Sequence, residues 1–258
     1  MTLRFLILLI FSNFSFSAIS AGDSDISAYR DPKIPFESYE ELMNETEKFS
    51  PFDRASAIGS AQYYTGANLP AATSWPSVGI LQSRFSSVRN DRYIKWARDP
   101  NFTRRISWLY PNDGCYARAT MANRWFKGHG MAIPSKVFAF GKLRVSTANH
   151  PRGTASWWYH VAPIVQVGET KYVLDPSIDA SKPLPLIDWL ARMGTPGEIK
   201  VAICGSGTHS PKSDCGNNTV GSSTISSQQT FLSREWDQLK RMGRDPETLL
   251  GGSPPWKR

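Results

Sequence analysis

Cysteine is scarce in this chain, with three among 258 residues. An odd count excludes complete pairing within the chain, so a thiol is left over. After residue 11 there is no second apolar run of membrane length, and no internal repeat. No cysteine stands directly after the first apolar run, which speaks against a lipid anchor. Dense basic patches are missing too: Arg104-Arg105 and Lys257-Arg258 are only dipeptides, and the formal charge of +8 is interleaved with acids. That pattern describes a solvated basic surface able to steer acidic proteins, and it offers no motif for a nucleic-acid partner.

What is present begins with Leu3–Phe11, an apolar run edged by Arg4 and followed by Ser17, Ala18, Ser20 and Ala21. This reads as a signal peptide over 1–20, cut near Ser20 or Ala21, and predicts a secreted or periplasmic protein with no membrane segment once the signal is removed. The whole chain is 40% hydrophobic and 12% aromatic, enough for one packed domain and an accessory segment. Residues 22–36 read as extended, and 38–49 as a short amphipathic helix. Ala61–Tyr64 reads as a short strand and 65–77 as a linker. Val78, Leu81, Phe85 and Val88 keep helical spacing, predicting a helix from Ser77 to about Trp96, closed by Asp99-Pro100-Asn101. A soft boundary falls near residue 100.

Beyond it, Lys136–Val145, Trp157–Val167 and Lys171–Asp175 read as strands, the last two joined at Gly168-Glu169. Pro185–Met193 and Gln228–Met242 read as helices, and 206–227 as a long polar loop. Cys204 and Cys215 flank the start of that loop and are read as a disulfide. A metal reading has His209 between them but lacks a fourth ligand.

That pairing leaves Cys115. It follows the turn pair Asp113-Gly114 and opens a helical run through Ala117, Met121 and Trp125 towards Gly128. Uncapped N–H groups and the helix dipole favour an anion at such a place, here a thiolate, and can hold an oxyanion. A buried structural cysteine is the alternative, and the hairpin weighs against it. With Gly168-Glu169 or Val167-Gly168 as the two loop residues, His160 and Asp175 share one face of the sheet as direct or diagonal neighbours. A carboxylate on one imidazole nitrogen leaves the other to serve a thiol.

Asp113-Gly114-Cys115-Tyr116-Ala117-Arg118-Ala119, Tyr159-His160-Val161-Ala162 and Asp175-Pro176-Ser177 resemble, in that order, three signature blocks of the protein-glutaminase family. The resemblance implies an α+β, transglutaminase/papain-like fold, with a Cys-bearing helix packed on an antiparallel β-sheet. It implies Cys115 as nucleophile, His160 as general base and Asp175 as the orienting carboxylate, and a disulfide in the Cys204–Cys215 stretch. Trp157, Trp158 and Tyr159 are candidates for the substrate groove, with core packing as the alternative. The family is made as proenzymes, so 21–100 is expected to be a pro-segment or accessory region and 101–258 the catalytic domain. Ala61-Gln62 is then a substrate mimic, or else part of an ordinary strand.

The expected activity is hydrolysis of glutamine side-chain amides in proteins or peptides, by a monomer needing no cofactor or metal. Transglutaminase-type transfer to amines, a Cys-His-Asp peptidase and a non-catalytic binding module are the competing readings.

Overall fold

The computed structural model describes residues 58–66, 69–96, 98–221 and 225–257. The signal peptide, the extended stretch 22–36 and the helix expected over 38–49 lie outside them. Two long strands form the centre. Alternating apolar residues carry β5 (Ser135–Ser146) and β6 (Thr154–Val167), which pair antiparallel along nearly their whole length. The other strands are β1 (Gln62–Tyr63), β2 (Thr73–Ser74), β7 (Thr170–Val173), β8 (Leu184–Pro185) and β9 (Lys200–Cys204). The sheet runs β1-β9-β5-β6-β7-β8, antiparallel throughout, with β2 pairing parallel to β6. Val167 faces Thr170, so Gly168-Glu169 is the hairpin loop.

One face of the sheet packs Val137, Ala139, Ala162 and Ile164 against α3 (Leu186–Ala191), which contributes Trp189 and Leu190. A second cluster joins α1 (Val78–Asn90) to α2 (Cys115–Gly128) through Leu81, Phe85, Val88, Trp125 and Phe126. The C-terminal part adds α4 (Ile225–Arg241) and α5 (Pro246–Leu250).

Helix α1 starts as expected, with the Ser77 hydroxyl accepting from Ile80 N, but ends at Asn90. Its apolar spacing stops at Val88, and Ile94 and Trp96 then alternate instead. They form β3 (Ile94–Trp96), paired with β4 (Asp99–Arg104) in a two-stranded ribbon that spans position 100. The stretch 65–77 is less of a linker than its composition suggests. Trp75 is buried, donates its indole N–H to the Ala132 carbonyl and meets Phe126 edge to face.

Cys204 and Cys215 are joined in a disulfide. Their bond closes an 11-residue separation, and the chain-entropy account assigns such a loop about 3 kcal/mol. The double variant Cys204→Ala/Cys215→Ala is therefore expected to lose about that much stability in urea denaturation. A midpoint shift too small for 1 kcal/mol would place the loop's order in its own hydrogen bonds instead.

Candidate active site

The turn before α2 sets the site. Gly114 is the N-cap, in the left-handed region at φ 80°, and has no side chain to cap the helix. A helix head without a side-chain cap favours an anion. A Cβ at Gly114 would also come within 2.8 Å of the Phe231 ring. Gly114→Ala is expected to cost about 1–3 kcal/mol through the strained backbone and that contact. A thermal melt unchanged from wild type would show that the turn can relax.

Arg118, one turn into α2 and buried, holds the same turn from behind. Its Nη1 donates to the carbonyls of Tyr110 at 2.7 Å and Asp113 at 2.6 Å. Cys115, thus placed at the helix head, is the free cysteine among the described residues and is buried.

His160, fully buried on β6, donates from Nε2 to Asp175 Oδ2 at 2.7 Å. The same oxygen accepts from the Trp189 indole at 3.0 Å. Asp175 Oδ1 accepts from Ser177 N at 3.2 Å and from the Ser177 hydroxyl at 2.5 Å. Four donors fix the carboxylate. Burial alone would push the Asp175 carboxyl up, but the His160 charge and hydrogen bond, with help from Ser177 and Arg118, hold it down at about 2. Burial would lower the His160 imidazole, and Asp175 first, then Cys115, raises it to about 9. The pair is an imidazolium carboxylate near neutral pH.

The other ring nitrogen, Nδ1, is buried and closes no hydrogen bond. The Cys115 thiol is nonetheless close enough to act on the ring as a hydrogen-bonding group. The thiol lies near the ring without closing a hydrogen bond to Nδ1. An unpaired buried nitrogen is costly, and here it is the atom able to exchange a proton with sulfur.

The residues considered for a groove divide. Trp157 is buried, stacks on the His160 ring at 4.5 Å between centroids, and donates its indole N–H to the Pro111 carbonyl at 2.9 Å. It therefore braces the imidazole from behind, in place of walling a groove. Trp158 and Tyr159 are half-buried and share a cluster with Cys115, Tyr116 and Ala61. Burial first, then the charge of Cys115, pushes the Tyr159 ionisation up. Gln62, beside Ala61, is exposed on the edge strand β1, paired with Val201 of β9. His209 packs edge-on against Tyr116, and both cysteines flanking it are in the disulfide. Among the described residues no three His, Cys, Asp or Glu side chains group as a metal set.

Sequence reasoning missed Trp189 and Lys136, and named Arg118 and Ser177 without a role. A serine two residues after an aspartate is a recognisable turn signal. Trp189 has no local signal, because its partner lies on another element.

A cysteine-headed helix packed on an antiparallel sheet makes this an α+β fold. Residues 81–193, which hold Cys115, His160 and Asp175, match the family model Gln_deamidase_2, described as a glutaminase. Curated protein sequences give no match. Solved structures similar to this chain include a pro-protein-glutaminase crystal structure, at 22% identity and a TM-score of 0.48, covering 72% of this chain and 66% of that one. A protein-glutaminase crystal structure gives 22% and 0.43, covering 72% of this chain and 94% of that one. The NMR structure of protein-glutaminase from Chryseobacterium proteolyticum gives 23% and 0.46, covering 64% and 89%. The chain thus spans just under two thirds of the pro-protein-glutaminase. Among the described residues no helix is long and apolar enough to cross a membrane.

Proposed function

We propose that this protein hydrolyses the side-chain amide of protein-bound glutamine, giving glutamate and ammonia through a thioester on Cys115. One observation carries the reading. A buried imidazole, locked by Asp175 on Nε2, keeps Nδ1 unpaired beside the thiol of Cys115. The Cys115 sulfur, as a thiolate whose proton already rests on Nδ1 of the imidazolium, attacks the amide carbon. The oxyanion is held by N–H groups at the head of α2. The imidazolium then protonates the departing nitrogen, which leaves as ammonia. Water gives a proton to the same ring and attacks the thioester, and the carboxylate leaves as the thiol re-forms.

In the same reading residues 1–20 direct export, 21–100 form the pro-segment or accessory region and 101–258 the catalytic part. Ala61-Gln62 serves as the substrate mimic, supported by the packing of Ala61 beside Cys115. Leu81, Phe85 and Val88 are buried in the shared core, so release of inhibition should be tested by cutting after Gly66. A cut near Asn101 would strip α1 from that core. A nicked chain no more active than the intact one would remove the inhibitory role.

The experiment for the activity uses casein as substrate. Free ammonia is expected, with intact casein chains whose glutamines have become glutamates by mass spectrometry. Cross-linked casein would turn the reading to amine transfer, and fragments to proteolysis. No change in casein at all would overturn it.

A further inference from the structure

One lysine is buried near Cys115 with no carboxylate to meet it. Lys136 lies on β5 directly opposite Cys204 of β9, and its side chain is fully buried. The ammonium donates to the Thr120 hydroxyl on α2 and to the Thr208 carbonyl, both at 2.7 Å. Both acceptors are neutral. The ion pairs among the described residues do not include it. A buried ammonium held only by neutral oxygens carries a large uncompensated desolvation cost.

The helix that opens at Cys115 packs against this lysine. Phe138, two residues along β5 and so on the same side of the strand, shares a cluster with Cys115, Ala119 and Cys204. Thr120 lies little more than one helical turn beyond Cys115. Burial lowers the Lys136 ammonium to about 7, and the charge that opposes this is that of Cys115. The other titratable groups around the pair are His209 on the loop side, and Tyr159 and His160 on β6. Asp113, ahead of α2, acts on Tyr159. His209 is itself lowered by burial and by Lys136. Cys115 is the one group whose negative charge acts on Lys136.

We propose that Lys136 is a positioning residue that gives the Cys115 thiolate a second buried positive charge, beside that of His160. The proposal rests on the reading of Cys115 as the nucleophile and extends it to a residue outside the three signature blocks. It also gives the disulfide loop a part in the site. The Thr208 hydroxyl donates to the carbonyls of Asp214 at 2.9 Å and Cys215 at 3.2 Å, so the bridge holds the carbonyl that orients the ammonium.

The test reads the sulfur directly. In full-length Lys136→Met, carbamidomethylation of Cys115 by iodoacetamide is followed by mass spectrometry from about pH 5 to 9. Alkylation near neutral pH is expected to slow about tenfold, and the pH profile to move up by about one unit, with Lys136→Arg recovering part of both. A profile superimposable on wild type overturns the proposal. A second arm leaves Lys136 native and does not depend on the variant folding. In Cys115→Ala, the Lys136 side-chain NMR resonances should titrate about one unit lower than in wild type. Equal titration in the two chains overturns the proposal as well. Neither readout uses deamidation, so a Lys136 effect without ammonia release would sink the activity alone. Ammonia release with unaltered alkylation would sink this inference alone.

Discussion

Replacing Cys115 with alanine is expected to lower ammonia release from casein by at least about 10⁴-fold, with the fold intact. The side chain is small and buried, so the truncation removes one sulfur from a cluster whose bulk is Phe138, Phe140 and Val161. Little packing is lost, and the far-ultraviolet circular dichroism should match wild type. The loss is large because the thioester needs that sulfur. The oxyanion donors at the head of α2 can still bind an amide but have nothing to deliver to it. Ammonia assays on matched, folded samples decide the point. Activity within tenfold of wild type would remove Cys115 from the chemistry.

Asp175→Asn comes next, with a fall of about 10³–10⁴-fold. The amide fits the same space, but it no longer offers a charge to His160, and its NH₂ group cannot accept the Nε2 proton. The imidazole is then free to take the other tautomer, with its proton on the nitrogen that should receive one from sulfur. Stability carries the same signature. Asp175 is depressed to about 2, so its contribution is present above the usual carboxylate range and is lost as pH falls towards 2. His160 is raised to about 9, so its share is full below about 6.5 and is lost as pH rises through 9.

These are two views of one ion pair. The carboxylate side implies about 2 kcal/mol and the imidazole side about 3 kcal/mol. The ring also feels Cys115, so the carboxylate figure is the one assigned to the pair. Asp175→Asn should therefore lie about 2 kcal/mol below wild type between roughly pH 4 and 6.5, with the gap closing outside that window. Denaturation curves at several pH values measure it. A gap independent of pH would mean that packing around Trp189, and not charge, sets the loss.

The parts legible in the sequence are those written locally. Gly114 ends a turn and Cys115 starts a helix, and α2 begins at that residue. The hairpin loop at Gly168-Glu169 and the period of two put His160 and Asp175 on one face, where their side chains bond. Cys204 and Cys215 lie close in sequence in a polar loop and pair. Illegible parts depend on contacts between distant segments. The β3–β4 ribbon is hidden in the sequence because Ile94 and Trp96 directly follow a helix with regular apolar spacing. Trp189 reaches Asp175 from a six-residue helix that its own sequence marks only as apolar on one side. Lys136 reads as an ordinary charge at a strand end, and only the closing of β9 and α2 around it makes it buried.

Two indoles sandwich the base: Trp157 stacks at 4.5 Å and Trp189 at 5.6 Å between ring centroids. A protonated imidazole against an indole face draws off its excited-state energy far more than a neutral one does. The chain therefore carries an optical gauge of its own. Tryptophan emission should be dim in neutral solution and brighten as the ring gives up its proton near pH 9. Two of the nine tryptophans report on that ring, so the brightening should be a fraction of the total emission and should vanish in Trp157→Phe/Trp189→Phe.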